Sequence, residues 1–215
     1  MIVSYIGSMI KNVTSLSHAA RVRGRPREFD IDEALDGAIR LFRERGYHAA
    51  SIGDLTDAMG LASGSIYKAF RDKRDIFLAA FGRYTLLRNA QIQQVASAAK
   101  SARERLRDLL AFYLESSRGV EGRRGCLVVG SAVELAIFDR DVAARVGTSL
   151  ANNEALLAAL IREGHLDGSV PGDVDPEQTA RVMVCLTQGM RVVGKAGRAP
   201  PDPAITIEIA MKLVT

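Results

Sequence analysis

Twenty residues, Ser51 to Phe70 (SIGDLTDAMGLASGSIYKAF), constrain this chain more than any others. They read as a short helix, a glycine turn and a second short helix, sized for a DNA major groove. Ser51 can cap the first helix, with Asp54 three residues on as its reciprocal partner. Ile52, Leu55 and Met59 share one helical face. Gly60 supplies the residue that turns left-handed where that helix stops. Leu61 pins the turn inward, and Ile66 and Ala69 give the second helix a buried side. Ser63, Ser65, Tyr67 and Lys68 are left facing outward, and each can hydrogen-bond phosphates or base edges. The pattern is a helix-turn-helix with the second helix as reader. Taken alone it describes a plain helical hairpin equally well, so the flanks decide.

Both flanks are basic. Upstream, Arg21, Arg23, Arg25 and Arg27 fall within seven residues with no acid among them. Downstream come Arg71, Lys73 and Arg74 against a single acid, Asp72. Cations on either side of a groove helix are what phosphate clamping requires, since phosphate contacts set register and the helix sets sequence. Within that scheme Tyr67 offers its hydroxyl to a phosphate. Lys73 and Ser51 stand at helix N-termini, whose amides attract anions. Ser63, Ser65 and Lys68 are the base-edge candidates, and Gly64 allows close backbone approach. Arg23, Arg25 and Arg27 suit either a minor-groove hook or a solvated arm.

Gly24-Arg-Pro-Arg27, the helix Ile31–Arg45 ending in Arg-Gly-Tyr47, and Gly60-Leu-Ala-Ser-Gly-Ser-Ile-Tyr-Lys-Ala-Phe70 followed by Lys73 and Phe77 together resemble the tetracycline-repressor (TetR) family. The resemblance covers about residues 24 to 80. It implies a one-component transcriptional regulator, usually a repressor, that holds a palindromic operator as a homodimer and releases it on binding a small-molecule inducer. Two residues depart from the family pattern. Thr56 stands where Ala is usual, and Ala62 where a capping Ser or Thr is usual, so Ser63 is a second candidate for the cap of the reading helix.

Composition narrows the remaining classes. The 215 residues are 47% hydrophobic and 25% charged, with a net charge of +4. Residues 1–75 hold 12 Lys/Arg against 10 Asp/Glu, and the rest hold 17 against 15, so each part is +2. Local basic patches suit sequence-directed binding better than charge coating. Cys126 and Cys185 make no disulfide framework, and His18, His48 and His165 form no zinc cluster. No metal or cofactor is called for. No Ser/His/Asp set, carboxylate pair or phosphate loop stands at usable spacing, so an enzyme is not expected. No apolar run approaches the roughly 20 residues needed to span a bilayer, and the cytoplasm is the expected location.

The chain is expected to be all-α, about nine helices in two lobes. Residues 1–23 read as a disordered extension, 24–80 as the DNA-binding head, and 81–215 as a helical ligand-binding and dimerisation body. Asp30, with Glu33, opens the first helix and Gly46 ends it. A long helix from Asp72 to Ser97 joins head to body. Ser101 and Glu104 cap the next, to about Arg118, and the glycines of 119–125 predict a loop. Further helices are expected over Cys126–Phe138, from Asp139 or Asp141 to Glu163, Glu177–Lys195 and Ala204–Val214. The last two are dense in apolar residues: Val182, Met183, Leu186, Met190, Val193, Ile205, Ile209 and Leu213. They serve either ordinary core or a four-helix homodimer interface through 176–195 and 203–214, and the resemblance favours the second.

In the body, Phe81, Tyr84, Phe112, Tyr113, Leu135, Phe138 and Gln188 are candidate lining of an apolar ligand cavity, or else simple core. Cys126 follows two arginines and opens a helix, a setting that favours a thiolate and an electrophile or oxidant sensor. The alternative is a buried thiol acting as a small hydrophobe. An architectural DNA binder without ligand is a third alternative; it requires a packed body.

Overall fold

The computed structural model describes residues 30–215, so the expected N-terminal extension of residues 1–23 and the candidate contacts Arg23, Arg25 and Arg27 lie outside the described residues. Among the described residues the fold is all-helical: α1 (Ile31–Arg45), α2 (Ile52–Met59), α3 (Ser63–Ala69), α4 (Lys73–Ala96), α5 (Ala102–Glu115), α6 (Gly119–Arg124), α7 (Leu127–Glu134), α8 (Arg140–Asp167), α9 (Pro176–Lys195) and α10 (Pro203–Ala210). A 3-10 turn, Met211–Val214, closes the chain. No described helix is long and apolar enough to cross a membrane.

Local chemistry accounts for most boundaries. Asp30 caps α1 by accepting from the Asp32 amide, rather than through a reciprocal bond with Glu33. Ser51 and Asp54 form the expected capping box, and Gly60 ends α2 at φ 64°. The N-cap of α3 is Ala62, which has no side-chain cap bond; Ser63 is the first helical residue and does not take over the cap. Asp72 caps α4, and Ser101 with Glu104 caps α5.

Several boundaries differ from the sequence reading. α5 ends at Glu115 rather than about Arg118, and α10 at Ala210, with a 3-10 turn beyond it, rather than at Val214. Three more have an identifiable cause. The 119–125 glycine segment, expected as a loop, folds as α6 between Gly119 (φ 56°) and Gly125 (φ 86°). Its middle glycine serves a contact instead of a turn, since a Cβ on Gly122 would stand 2.1 Å from the Ser117 carbonyl oxygen. α7 stops at Glu134 rather than Phe138, where the Ala136 amide turns back to the Ser131 carbonyl. α8 runs through Gly164, because that glycine accommodates Val170, whose Cγ2 would stand 2.4 Å from an added Cβ. The actual stop is Gly168, at φ 73°.

Two apolar cores result. Phe42, Leu55, Ile66, Phe77 and Phe81 build the lower one, and Leu127, Val128, Leu135, Val142 and Val146 from α7 and α8 join it. The small head is thereby completed by body residues, which offsets the limited surface that three short helices bury alone. α1 and α2 cross so closely that a Cβ on Gly37 would stand 1.9 Å from the Ala58 carbonyl oxygen. The upper core gathers Leu106, Leu109, Leu110, Leu160, Ile161 and Met183 from α5, α8 and α9.

Candidate functional site

The second helix of the motif is presented to solvent. Ile66 is buried beneath it, while Ser63, Gly64, Tyr67 and Lys68 are exposed, Tyr67 to 57%, and Ser65 is half-buried. α3 therefore offers one polar face with two long side chains at its centre. Ser51 and Lys73 are placed differently from a free phosphate contact. The Ser51 hydroxyl donates to Asp54 Oδ2 at 2.6 Å and accepts from the Asp54 amide. Lys73 Nζ donates to the Ala50 carbonyl at 2.6 Å and lies 4.5 Å from the Tyr47 ring centroid. Its ammonium fastens the start of α4 to the turn before α2. Arg71, one of the three cations of the downstream flank, is the more available one there, its side chain 84% exposed with a 3.6 Å approach from Asp75.

A set of polar clamps joins head to body. The Glu134 carboxylate accepts from the amides of Tyr47 and His48 at 2.9 and 2.7 Å. Arg74 forks onto Asp139, and reaches Asp141 as well. Its guanidinium holds the Asp139 carboxyl down at about 2. Arg43, from the last turn of α1, donates to the Gly125 carbonyl at 2.9 Å and to Glu121. Lys195 Nζ, at the end of α9, donates to the carbonyls of Arg43 (2.6 Å) and Arg124 (3.0 Å). Glu134 is the least replaceable of these, since two backbone amides lose their acceptor without it. Glu134→Ala is expected to destabilise the protein by about 1–3 kcal/mol, read as a lowered denaturation midpoint.

Above the clamps lies a cavity of about 590 Å³. Arg43, Tyr84, Arg88, Val120, Glu121 and Arg191 are among its walls, so one head–body clamp is also a cavity wall. Tyr84, Arg88 and Arg191 continue into a narrow recess of about 20 Å³ that adds Tyr113, Cys126 and Gln188. Of the residues expected to line a cavity, Tyr84, Tyr113, Cys126 and Gln188 are brought together here. The others are corrected. Phe112 lies outside the walls, 4.1 Å beneath the Arg88 guanidinium. Leu135 is buried in the lower core because α7 ends there. Phe138 is 81% exposed on the turn that follows α7. Phe81 packs on Phe77 and edges a separate, shallow groove.

The cavity is mixed and cationic, with four arginines against two glutamates in its walls, not the purely apolar chamber expected. Arg191 is 3% exposed and donates to the carbonyls of Ser116 and Gly125, while its Nε has no partner. Arg88 donates to Ser116 Oγ at 2.8 Å, and burial lowers its pKa. Tyr84 Oη donates to Cys126 Sγ at 3.5 Å. Burial pushes the Cys126 thiol up, but Arg191, the Tyr84 hydroxyl, the Val129 amide and Arg88 outweigh it, and its pKa is lowered. Burial raises Tyr84 and takes Tyr113 up to about 12, so both keep their hydroxyl protons near neutrality.

On the far side of α9 and α10, Val182, Val192, Val193, Ile205 and Ile209 are exposed, with Cys185 among them. Met183 and Met190 point the other way, into the protein, so only part of the apolar set is a surface.

Two family models match. Residues 34–80 match the model for bacterial regulatory proteins of the tetR family, and residues 102–204 the tetracyclin repressor-like C-terminal domain. The HTH-type transcriptional repressor ComR of Escherichia coli (strain K12) is 30% identical over 176 residues, 81% of this chain and 84% of that protein. The transcriptional regulator AcuR of Cereibacter sphaeroides is 30% identical over 84% of this chain and 85% of its own length. A structure of the TetR family transcriptional regulator CifR, a cysteine mutant complexed with 26bp double-strand operator DNA, is 30% identical. The match covers 89% of this chain and 100% of that one, at a TM-score of 0.79.

Proposed function

The chain belongs to the TetR family and is a DNA-binding transcriptional repressor, and from that premise we propose that a small-molecule inducer bound in the 590 Å³ cavity releases it from a palindromic operator. One observation carries the reading: Arg43 is at once a wall of the cavity, the last turn of α1 and a partner of Glu121 and Gly125. A ligand that displaces Arg43 or its partners moves the head that holds α3. The coupling expected of such a two-site arrangement is about 1–3 kcal/mol, or roughly 5- to 150-fold in operator affinity.

In this proposal residues 24–80 are the reading head and residues 81–215 the effector and dimerisation body, working in the cytoplasm. Tyr67 and Lys68 bind first, Tyr67 to a phosphate and Lys68 to a base edge, with Ser63, Gly64 and Ser65 beside them. Arg23, Arg25 and Arg27 extend the contact from the N-terminal side, and Ser51 and Lys73 support the register. The exposed stripe on α9 and α10 pairs two copies about a two-fold axis, which places two α3 helices on half-sites one turn apart, roughly 34–36 Å. Operator affinity measured by fluorescence anisotropy on fragments of the protein's own promoter tests this. A Tyr67→Ala/Lys68→Ala variant is expected to lose at least about tenfold, since each base or phosphate contact contributes about 1 kcal/mol or more. Undiminished affinity removes the assignment.

A second reading makes Cys126 the sensor, favoured by the Tyr84 hydroxyl and the two arginines that stabilise its thiolate. In a Cys185→Ser background, the pH midpoint of iodoacetamide labelling at Cys126 is expected below the ordinary thiol range, and Arg88→Gln should raise it. A midpoint at or above the ordinary range removes this reading. The architectural alternative needs a body packed throughout, and a cavity of this size disfavours it.

A further inference from the structure

Two guanidinium groups at the junction of cavity and recess have no carboxylate within ion-pair distance among the described residues. Fourteen other Lys/Arg–carboxylate pairs exist in the same set, so the omission of Arg88 and Arg191 is not a shortage of acids. Arg191 is 3% exposed, and its Nε is a buried donor with no acceptor. A buried cation normally acquires a counter-charge, because desolvation without one is costly. The cavity walls carry four arginines (Arg43, Arg88, Arg118, Arg191) against two glutamates (Glu115, Glu121), a balance of +2. Glu121 is already committed to Arg43 and Arg124. Tyr113, whose hydroxyl stays protonated, adds a neutral donor beside the pair, and Tyr84, whose hydroxyl donates to Cys126 Sγ, borders it.

We propose that the effector is a small organic carboxylate whose head is held by Arg88 and Arg191, with Tyr84 at its flank and its apolar part toward Leu87 and Val120. The inference rests on the inducer reading and specifies its chemistry. Guanidinium groups suit this role because their planar donors match a carboxylate better than an ammonium does. Such a ligand supplies the acceptor that Arg191 Nε lacks. It also competes for the guanidinium that otherwise grips the Gly125 carbonyl, shared with Arg43, and so acts on the head clamp directly.

The test compares hexanoate and benzoate with their neutral isosteres hexanamide and benzamide, on the intact protein, by calorimetry and by release of a labelled operator. The acids are expected to bind at least about tenfold tighter than the amides, as a charge-assisted bond exceeds a neutral one. Arg88→Gln should bring that ratio toward one. Arg191 also supports two carbonyls, so Arg88→Gln is the primary variant and circular dichroism confirms its fold. Equal binding of acids and amides overturns the anion assignment and leaves the inducer pocket standing. The same holds if Arg88→Gln only raises the Cys126 thiol pKa, which would make the thiolate the counter-charge. Absence of binding by either series overturns the anion assignment; a neutral-metabolite screen that also leaves the operator complex intact overturns the pocket reading with it.

Discussion

Phe77→Ala is expected to lower the free energy of unfolding by about 3–5 kcal/mol, the range for removing a buried aromatic ring. Phe77 is 2% exposed and packs edge-on against Phe42 (5.2 Å) and Tyr47 (5.1 Å), with Phe81 at 6.2 Å. These four rings come from α1, the turn after it and α4, so they tie the reading head to the long helix. Domains of ordinary stability hold only about 5–15 kcal/mol in all. Thermal unfolding by circular dichroism should show the loss, and specific operator binding should fail near the temperature at which the wild-type protein still binds. A shift under about 1 kcal/mol would mean that the ring cluster relaxes around the hole and that the head is held elsewhere.

The second large effect concerns assembly. Val182→Asp combined with Ile209→Asp places two charges on the exposed stripe of α9 and α10 without touching the upper core, since both side chains are at least half exposed. Sedimentation is expected to show a monomer with unchanged helical content. Operator affinity should fall by roughly 10²–10⁴, the gain that a second, linked half-site provides. A dimer that survives both substitutions places the interface on another surface, the exposed Val133, Ile137 and Phe138 being the next candidate.

How much of this was legible in the sequence varies with the range of the interactions involved. The motif was readable because its signals are local: a capping box at Ser51 and Asp54, a left-handed Gly60 and a buried Ile66 each act within a few residues. The long α4 followed from Asp72 and Ser97 for the same reason. Glycine was misread where its use was tertiary. Gly122 and Gly164 carry no turn at all; they admit the Ser117 carbonyl and Val170 against a helix face, and nothing nearby in the sequence marks that. Lys73 was read as a cation for phosphate, yet its ammonium is spent on the Ala50 carbonyl and the Tyr47 ring, partners 23 and 26 positions away.

The cavity shows the same limit. Aromatic residues at helical spacing predicted an apolar chamber, but of the five only Tyr84 and Tyr113 line the cavity and its recess; Phe81 and Phe112 are packing and Phe138 is exposed. Arg88 and Arg191 were missed. Arg191 stands between Met190 and Val192-Val193, a local signal because burial of an unpaired guanidinium needs a reason, whereas Arg88 sits among Thr85, Asn89 and Gln91 and carries none. Arg43 and Glu134 were likewise invisible as clamps, since their partners are 78 to 87 residues distant.

The central claim is that two copies of α3, presented by a two-fold assembly, read duplex DNA. Selection from a random-sequence duplex library with the purified protein tests it most directly. The account predicts enrichment of a two-fold symmetric sequence with half-sites about one helical turn apart, abolished by Tyr67→Ala/Lys68→Ala. Enrichment of sequences without that symmetry, or enrichment unchanged in the double variant, would contradict it.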